Sequence, residues 1–363
     1  MRSFAAGPMA GPDVPYPAMD TVRWGMVGAG DVTEIKSGPG FRKAQHSQLV
    51  AVMRRSPGLA ADYARRHGVA RYYECAQELI NDPDVDAIYI ATPPGSHAEL
   101  ALMVCNAGKA AYLEKPMARN ELECRIINEA FAARQLPLFV AYYRRQLPRC
   151  LAAKAVLDAA RLGGIHWVEY YYSTAPWSGD RANLPWRLRA EHSAGGLFLD
   201  VGCHALDLFD FLFGPLLDVK GSASNLADLY DVEDHVTVRF RTMGGQSGSA
   251  TWNFAGRGGE DRLEIIGSRG RLRMSVFGNE PIALALDGQA PELIHQPNPD
   301  HVQQPLIQSI VNQLRGEGCC PSTGESAART TRVIDRVLED YYGGRGDRFW
   351  QRPESWPGRP RLR

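Results

Sequence analysis

Short apolar runs alternate with amphipathic stretches along the first 145 or so residues. A short apolar run bounded by turn residues predicts a buried strand, whereas apolar residues three or four positions apart predict a helix. Five strands are predicted in the runs VRWGMV, QLVAVM, DAIYI, AAYL and LPLFV. Helices are predicted at 31–44, with a possible break at Gly38-Pro39-Gly40, and at 59–68, 76–81, 96–107 and 120–134. Strands separated by helices indicate a parallel sheet with right-handed crossovers.

The pattern changes beyond Arg145, where alternating runs follow one another with few helical stretches between them. These runs predict strands at 165–173, 219–226, 235–242, 247–254, 261–268, 271–276 and 282–286. Helices are predicted at 149–161, near 195–212, near 304–315 and at 324–341. Neighbouring strands without helices between them predict a mainly antiparallel sheet.

The two patterns predict an α/β protein with two domains, which a chain of 363 residues can accommodate. Residues 21–145 would form a dinucleotide-binding domain and residues 146–342 a domain for substrate and oligomerisation. The segment 1–20 is rich in Pro, Gly and Ala and lacks the apolar region of a signal peptide, so we expect a flexible leader. The segment 343–363 is expected to be irregular.

Composition excludes several classes of partner. The 41 basic and 41 acidic residues balance, which argues against binding to nucleic acid or anionic lipid. No apolar run approaches the ~20 residues of a membrane span. The seven cysteines include no C-x-x-C pair, which argues against a disulfide framework or a zinc site and favours the cytoplasm. No histidine spacing indicates a metal site, and Cys203 is expected to be a small packing residue.

A glycine turn, Gly28-Ala29-Gly30-Asp31-Val32, lies between the first predicted strand and helix. Gly28 can form the tight turn and Gly30 can let a pyrophosphate approach the backbone at the helix N-terminus. Thr33 replaces the third glycine of the G-x-G-x-x-G pattern.

Arg54 and Arg55 follow the second strand, where an NAD site usually has an acidic residue. An arginine there suits a 2′-phosphate, so NADP(H) is favoured over NAD(H). Two solvated surface arginines remain the alternative interpretation.

Further motifs follow two later strands and the start of a helix. They are Ala91-Thr92-Pro93-Pro94-x-x-His97, Glu114-Lys115-Pro116 and, after Trp186-Arg187, Gly195-Gly196-x-x-x-Asp200-x-Gly202-x-His204. With the glycine turn, they resemble the motifs of the Gfo/Idh/MocA family of oxidoreductases over residues 22–342. The resemblance implies a Rossmann domain followed by an α/β domain with a large, open, mainly antiparallel sheet. It also implies a homodimer or homotetramer formed through that sheet, and final helices that pack back on the first domain.

Hydride transfer between an alcohol carbon and nicotinamide needs a group that handles the hydroxyl proton and a group that stabilises charge on oxygen. Lys115 follows a strand at the sheet edge where open α/β sheets bind ligands, so its ammonium can contact the reacting oxygen. Asp200 and His204 are four residues apart and share one helix face. His204 titrates in a range suited to acid–base catalysis. Spacing alone leaves a buried packing histidine as an alternative, and the family motif favours the catalytic role.

The remaining candidates are expected to contact cofactor or substrate. Glu114 would contact the nicotinamide or orient Lys115. Thr92, Pro93 and His97 resemble a cofactor-lining segment, although His97 could also simply begin the next helix. Tyr142, with Arg144 nearby at the domain junction, and Trp186 with Arg187 would line the substrate cleft.

These observations predict an NAD(P)-dependent dehydrogenase or reductase acting on a small molecule that is a sugar, a polyol or a related diol, including a trans-dihydrodiol. An NAD-dependent glycosidase of the same fold is one alternative. A non-catalytic nucleotide-sensing regulator is another, and the presence of Lys115, Asp200 and His204 weakens it.

Overall fold

The computed structural model describes residues 19–360, without the side chain at position 57. The predicted leader therefore lies outside the described residues, apart from its last two. Two sheets organise the rest of the chain. No helix in the described range is long and apolar enough to cross a membrane.

The first sheet is parallel throughout. Its strands are β1 (Val22–Val27), β2 (Ser47–Met53), β3 (Arg71–Tyr73), β4 (Ala87–Ile90), β5 (Ala110–Leu113) and β6 (Leu138–Val140). They lie in the order β3-β2-β1-β4-β5-β6, which confirms the predicted Rossmann arrangement. The direction of the strand order reverses between β1 and β4, and open α/β sheets bind ligands at the carboxyl ends of the strands beside such a point.

Helices cover both faces of this sheet, so β4 and β5 are buried along their whole length. The helices are α1 (Asp31–Ile35), α2 (Gly38–Lys43), α3 (Pro57–His67), α4 (Ala76–Asn81), α5 (His97–Asn106) and α6 (Glu121–Ala133). The predicted helix at 31–44 is thus two helices. Lys36 and Ser37 separate the two helices, and a Cβ on Gly38 would lie 2.1 Å from the Thr33 carbonyl oxygen.

The second sheet has eight strands and is antiparallel except for the β7–β10 pair, which confirms the predicted architecture. Its strands are β7 (Ile165–Ser173), β8 (Leu216–Ser224), β9 (His235–Thr242), β10 (Ser247–Asn253), β11 (Glu260–Gly267), β12 (Gly270–Met274), β13 (Ile282–Leu286) and β14 (Glu292–Ile294). They lie in the order β14-β13-β12-β11-β7-β10-β9-β8. Burial alternates strictly along β9, so one face of this sheet is covered and the other is open.

Five helices belong to this second part of the chain. They are α7 (Pro148–Asp158), α8 (Ala190–Ser193), α9 (Cys203–Phe213), α10 (Gln304–Leu314) and α11 (Gly324–Tyr342). Helix α9 packs on the covered face, where Phe209 stacks on Phe240 at 5.6 Å between ring centroids. Helix α10 packs on α2, and α11 packs between α6 and β8.

The final segment has only single 3₁₀ turns between residues 343 and 360, at Phe349–Gln351 and Pro353–Ser355. It is nevertheless packed, because Phe349, Trp350 and Trp356 are buried.

Candidate active site

The glycine turn lies at the carboxyl end of β1. Gly28 has a φ of +92°, and a Cβ there would lie 2.7 Å from the Thr92 side chain, so both backbone and space require glycine. A Cβ on Gly30 would have its nearest neighbour 3.7 Å away, which leaves open space above the turn. Asp31 is exposed and Ala29 is buried. The turn therefore fits the phosphates of a dinucleotide.

Thr33, which departs from the usual third glycine, is fully buried within the first turn of α1. Its hydroxyl donates to the Gly30 carbonyl oxygen at 2.6 Å, and its own carbonyl accepts from the Tyr63 hydroxyl at 3.0 Å. The extra polar group is satisfied locally, so the substitution leaves the turn intact.

Arg54 and Arg55 directly follow β2, beside the glycine turn. Arg54 is half-buried and Arg55 is exposed. Neither guanidinium has an ion pair or hydrogen bond to any residue between 19 and 360, so both can meet a ligand.

His97, expected to contact the cofactor, lies behind the cleft instead. Its side chain is fully buried, with Nε2 2.8 Å from the Thr92 carbonyl oxygen and Nδ1 3.0 Å from the Pro116 carbonyl oxygen. Burial lowers the pKa of this imidazole. Both ring nitrogens are occupied by backbone, so the expectation of a direct contact is corrected: His97 ties the turn after β4 to the turn after β5. Thr92 and Pro93 remain accessible at that edge.

Glu114 ends β5 in a buried polar network. Its carboxylate accepts from the Tyr89 hydroxyl at 2.5 Å, from Gln303 Nε2 at 2.6 Å and from the Lys115 backbone N–H at 3.2 Å. Of the two roles expected for Glu114, these contacts support the orientation of Lys115. Sequence reasoning missed Gln303, which no local motif marks.

Lys115 follows the first sheet, and its side chain contacts Asp200, which lies in the second part of the chain. Its ammonium donates to Asp200 Oδ1 at 2.6 Å and to the Asp200 carbonyl oxygen at 2.8 Å. Burial disfavours the charged amine, but Asp200 outweighs burial and holds the pKa of Lys115 above its ordinary value. Burial also disfavours the charged form of Asp200 and so raises the pKa of its carboxyl. The positive charges of Lys115 and Arg187 outweigh burial and lower that pKa to about 2. The resting site therefore contains an ammonium and a carboxylate.

Arg187 holds the second oxygen of Asp200, with Nε donating to Oδ2 at 2.9 Å. The guanidinium also lies 4.4 Å from the ring centroid of Trp186. Both residues lie at the accessible rim of the site.

His204 lies in an aromatic enclosure next to this ion pair. It is 4% exposed, and its Nδ1 has no hydrogen-bond partner in the described part of the chain. The rings of Tyr143, Phe277 and Tyr142 surround it with centroids at 5.2, 6.0 and 6.1 Å. Burial first, and then the charges of Arg144 and Lys115, lower the pKa of the imidazole well below its ordinary value. The imidazole is therefore neutral in the resting site.

Tyr142 was expected to contact substrate, and this expectation is corrected. The side chain is fully buried behind His204, and its hydroxyl has no solvent access and lies beside the Cys203 thiol. Phe277, which no sequence pattern marked, takes a position beside the imidazole.

Asp200 lies in a π-helical turn, Phe198–Gly202, that leads directly into α9. The wider turn is possible because residue 202 is glycine. A Cβ at this position would lie 2.2 Å from the Phe198 ring. π-Helical turns are common at functional sites. Cys203 is buried and its thiol pKa is raised to about 12 by burial, consistent with packing.

A groove of about 1170 Å³ between α6, β8 and α11 lies away from all of these residues. Its lining mixes acidic and basic side chains, and it contains none of the groups described above. The site is therefore assigned by its chemistry and its place in the sheet.

Comparison with known proteins gives two family matches. A model described as "Oxidoreductase family, NAD-binding Rossmann fold" matches residues 22–142, and one described as "GFO/IDH/MocA C-terminal domain" matches residues 150–273. Together they cover more than half of the chain.

Curated relatives match over most of their length. A protein of Formosa agariphila named as an oxidoreductase is 38% identical over 318 residues, which are 86% of this chain and 97% of the relative. A trans-1,2-dihydrobenzene-1,2-diol dehydrogenase of Bos taurus is 30% identical over 283 residues, 77% of this chain and 81% of the relative. A levoglucosan dehydrogenase solved with NADH and levoglucosan has a TM-score of 0.79 at 22% identity, covering 88% of this chain and 96% of its own. That last likeness concerns the fold alone.

Proposed function

This chain belongs to the Gfo/Idh/MocA family of oxidoreductases, and we propose that it is an NAD(P)-dependent dehydrogenase or reductase acting on a hydroxyl or carbonyl carbon of a sugar, polyol or related diol. The observation that carries the proposal is the meeting of Lys115, Asp200 and His204 beside the carboxyl ends of the parallel strands. Relatives named as diol and levoglucosan dehydrogenases support the substrate class.

The cofactor would be held by the turn Gly28–Val32 at its phosphates and by Arg54 and Arg55 at the adenosine ribose. Two free guanidinium groups suit a 2′-phosphate, which supports NADP(H) over NAD(H). NADH is present in solved structures of the same fold, so NAD(H) is the second choice. When bound, the nicotinamide supplies the hydride acceptor, so that CH–OH and NAD(P)⁺ become C=O, NAD(P)H and a proton.

The chain's own residues manage the proton and the charge on oxygen. His204, neutral in the resting site, accepts the hydroxyl proton during oxidation. Lys115 remains cationic because Asp200 holds it, and its ammonium stabilises negative charge that develops on the substrate oxygen. Asp200, shared between Lys115 and Arg187, fixes the ammonium and can accept a second substrate hydroxyl.

The test is a panel of sugars, sugar acids, polyols and diols, each followed by nicotinamide absorbance with both cofactors. We expect net formation of NAD(P)H with at least one member of the panel. Glycosidic bond cleavage without net NAD(P)H would instead establish the glycosidase. Tight cofactor binding with no turnover of any compound would favour the regulator.

We also propose domain limits at 21–145 and 146–342, a cytoplasmic location, and a homodimer or homotetramer formed through the open face of the second sheet. All seven cysteines are free, which fits a reducing compartment. The open face displays Trp167, 37% exposed, near the middle of the sheet. The mass of the protein in solution tests the oligomer.

A further inference from the structure

Buried arginines in this molecule fall into two groups. Arg145 pairs with Asp207 at 2.7 Å and Asp210 at 2.9 Å, and Arg345 pairs with Asp335 at 2.8 Å. Arg144 and Arg149 are just as buried, yet neither forms an ion pair with any residue between 19 and 360. A buried charge is costly unless it is paired, so each unpaired guanidinium requires an explanation.

Arg144 directly follows Tyr143 at the domain junction and is 4% exposed. Its Nε donates to the Val276 carbonyl oxygen at 3.1 Å, while Nη1 is buried without an acceptor among the described residues. The guanidinium carbon lies 4.2 Å from the ring centroid of Phe277 and 5.0 Å from that of Tyr143. Two aromatic rings thus flank the guanidinium, and the two N–H donors of Nη1 are unused within the described part of the chain.

The same two rings border His204, so Arg144 belongs to the reaction centre. Its charge acts on the imidazole, since Arg144 is the strongest charged contributor to the lowered His204 pKa. Arg149 does not contribute there. Its Nη2 donates to Ser275 Oγ and to the Glu280 carbonyl oxygen, each at 3.1 Å.

The carboxylates around the site are engaged by groups other than Arg144. Asp200 pairs with Lys115 and Arg187, Glu114 accepts from Tyr89 and Gln303, and Asp261 accepts from the backbone N–H groups of Val276 and Phe277. Arg144 therefore has no ion pair with any residue between 19 and 360. Proton transfer to His204 would add another positive charge beside Arg144. An anionic group on the substrate would offset the charge of Arg144 and so favour this proton transfer.

We propose that Arg144 binds a carboxylate of the substrate, and that the enzyme acts on sugar acids or related hydroxy acids in preference to the corresponding neutral sugars. This inference rests on the proposed function, whose substrate class it narrows. The planar guanidinium forms two parallel hydrogen bonds with a carboxylate. A single guanidinium between aromatic rings suits a monoanion better than a phosphate dianion, which needs more donors.

The first experiment uses matched pairs of substrates with wild-type enzyme. D-Glucuronate is compared with D-glucose, and D-galacturonate with D-galactose, using both cofactors. We expect kcat/KM for an acid to exceed that of its neutral counterpart by at least roughly 10-fold, the effect of one charged hydrogen bond. Glucose 6-phosphate is included, and its preference over both members of a pair would overturn the carboxylate assignment.

The second experiment compares Arg144→Gln with Arg149→Gln. Both remove an equally buried, unpaired charge, but only the first lies beside His204. Arg144→Gln should lower kcat/KM for the acid roughly 10- to 100-fold more than for the neutral sugar, while Arg149→Gln should leave that ratio unchanged. Equal losses for acid and neutral sugar in Arg144→Gln would contradict the proposal.

Calorimetric binding of D-glucuronate to the wild-type enzyme–NADP⁺ complex gives a readout that needs neither turnover nor a folded variant. Binding of glucuronate at least roughly 10-fold tighter than glucose supports the inference. If glucuronate binds no more tightly than glucose, the carboxylate inference is wrong, even if neutral sugars are oxidised and the proposed function stands. Absence of NAD(P)H formation from every compound would overturn the proposed function instead.

Discussion

Lys115 keeps its charge although burial disfavours the charged amine, because the Asp200 carboxylate lies 2.6 Å from the ammonium and holds its pKa above the ordinary value. We predict that Lys115→Ala lowers kcat by roughly 100-fold or more, since it removes the cation that stabilises the substrate oxygen. Lys109→Ala is the matched control, because Lys109 lies at the opposite end of β5 and contacts the Asp82 carbonyl oxygen. Steady-state kinetics on an identified substrate, with cofactor titration, make the comparison. Unchanged turnover in Lys115→Ala would refute the catalytic assignment.

His204 predicts the pH dependence of the reaction. Burial and the charges of Arg144, Lys115 and Lys36 all lower its pKa, so the imidazole remains neutral until the pH falls well below 6.5. The decline of kcat/KM that reports His204 protonation should therefore occur below pH 6.5. Removal of one cation in Arg144→Gln should move that decline to higher pH.

The pH–rate profiles of wild type and Arg144→Gln check this, with His204→Ala as the reference that lowers kcat by roughly 100-fold. An acidic limb in the wild type above pH 6.5 would show that His204 is not the group that titrates. Unfolding of His204→Ala would indicate a packing histidine.

Some of the site residues could be predicted from the sequence and others could not. Lys115 and Arg187, each named as a candidate from its own motif, both contact Asp200, because each motif lies at a strand end or a turn. His97 and Tyr142 were misplaced because a motif gives the position of a backbone and not the direction of a side chain. Phe277 reaches the site from a loop distant in sequence, and nothing local marks it.

At the scale of elements, the π-helical turn sets the position of Asp200. We predict that Gly202→Ala displaces this turn, because the new Cβ would lie 2.2 Å from the buried Phe198 ring. Overpacking of this kind costs about 1–3 kcal/mol, and kcat should fall as Asp200 moves relative to Lys115. Gly58→Ala, in α3 with nothing within 4 Å of its Cβ, should be neutral or stabilising. Thermal unfolding and kcat are measured for both, and equal behaviour would show that the turn tolerates a side chain.

The end of β2 should decide between the two cofactors. Arg54→Asp replaces a free cation with a carboxylate that repels a 2′-phosphate and accepts hydrogen bonds from a ribose. We therefore expect wild type to bind NADP(H) more tightly than NAD(H), and the variant to reverse the preference. Dissociation constants for both cofactors, determined by titration, test this. Tighter binding of NAD(H) by wild type would show that the two arginines serve only as surface residues.

Most elements could be predicted because their apolar periodicity is strong. The strands that were missed, β3 and β14, are three residues long and carry no apolar run. Helix α8 has four residues, too few to show a period. The π-helical turn was predicted as ordinary helix, because the widening depends on Phe198 packing against Gly202 and not on sequence spacing.

At the scale of the whole molecule, the site is shared by two sheets that need a common support. The final segment, residues 343–360, provides this support. The sequence predicts only an irregular segment here and does not predict its packing. Arg345 lies there with its side chain almost completely buried. Its three nitrogens donate to Asp335 at 2.8 Å, to the Ala194 carbonyl oxygen at 2.9 Å and to the Arg119 carbonyl oxygen at 2.9 Å. These contacts join α11, the Gly195-Gly196 turn and the start of α6.

We predict that Arg345→Met destabilises the protein by about 3 kcal/mol or more, because it leaves Asp335 as a largely buried, unpaired carboxylate. It should also lower kcat, since Ala194 directly precedes the segment that carries Asp200 and His204. Arg352→Met, in the same final segment, removes a mostly exposed ion pair with Asp347 and should cost less than about 1 kcal/mol. Denaturant unfolding measures both differences, and kinetics on the same samples measure turnover. If both variants lose the same small amount of stability and keep full activity, the final segment does not support the site.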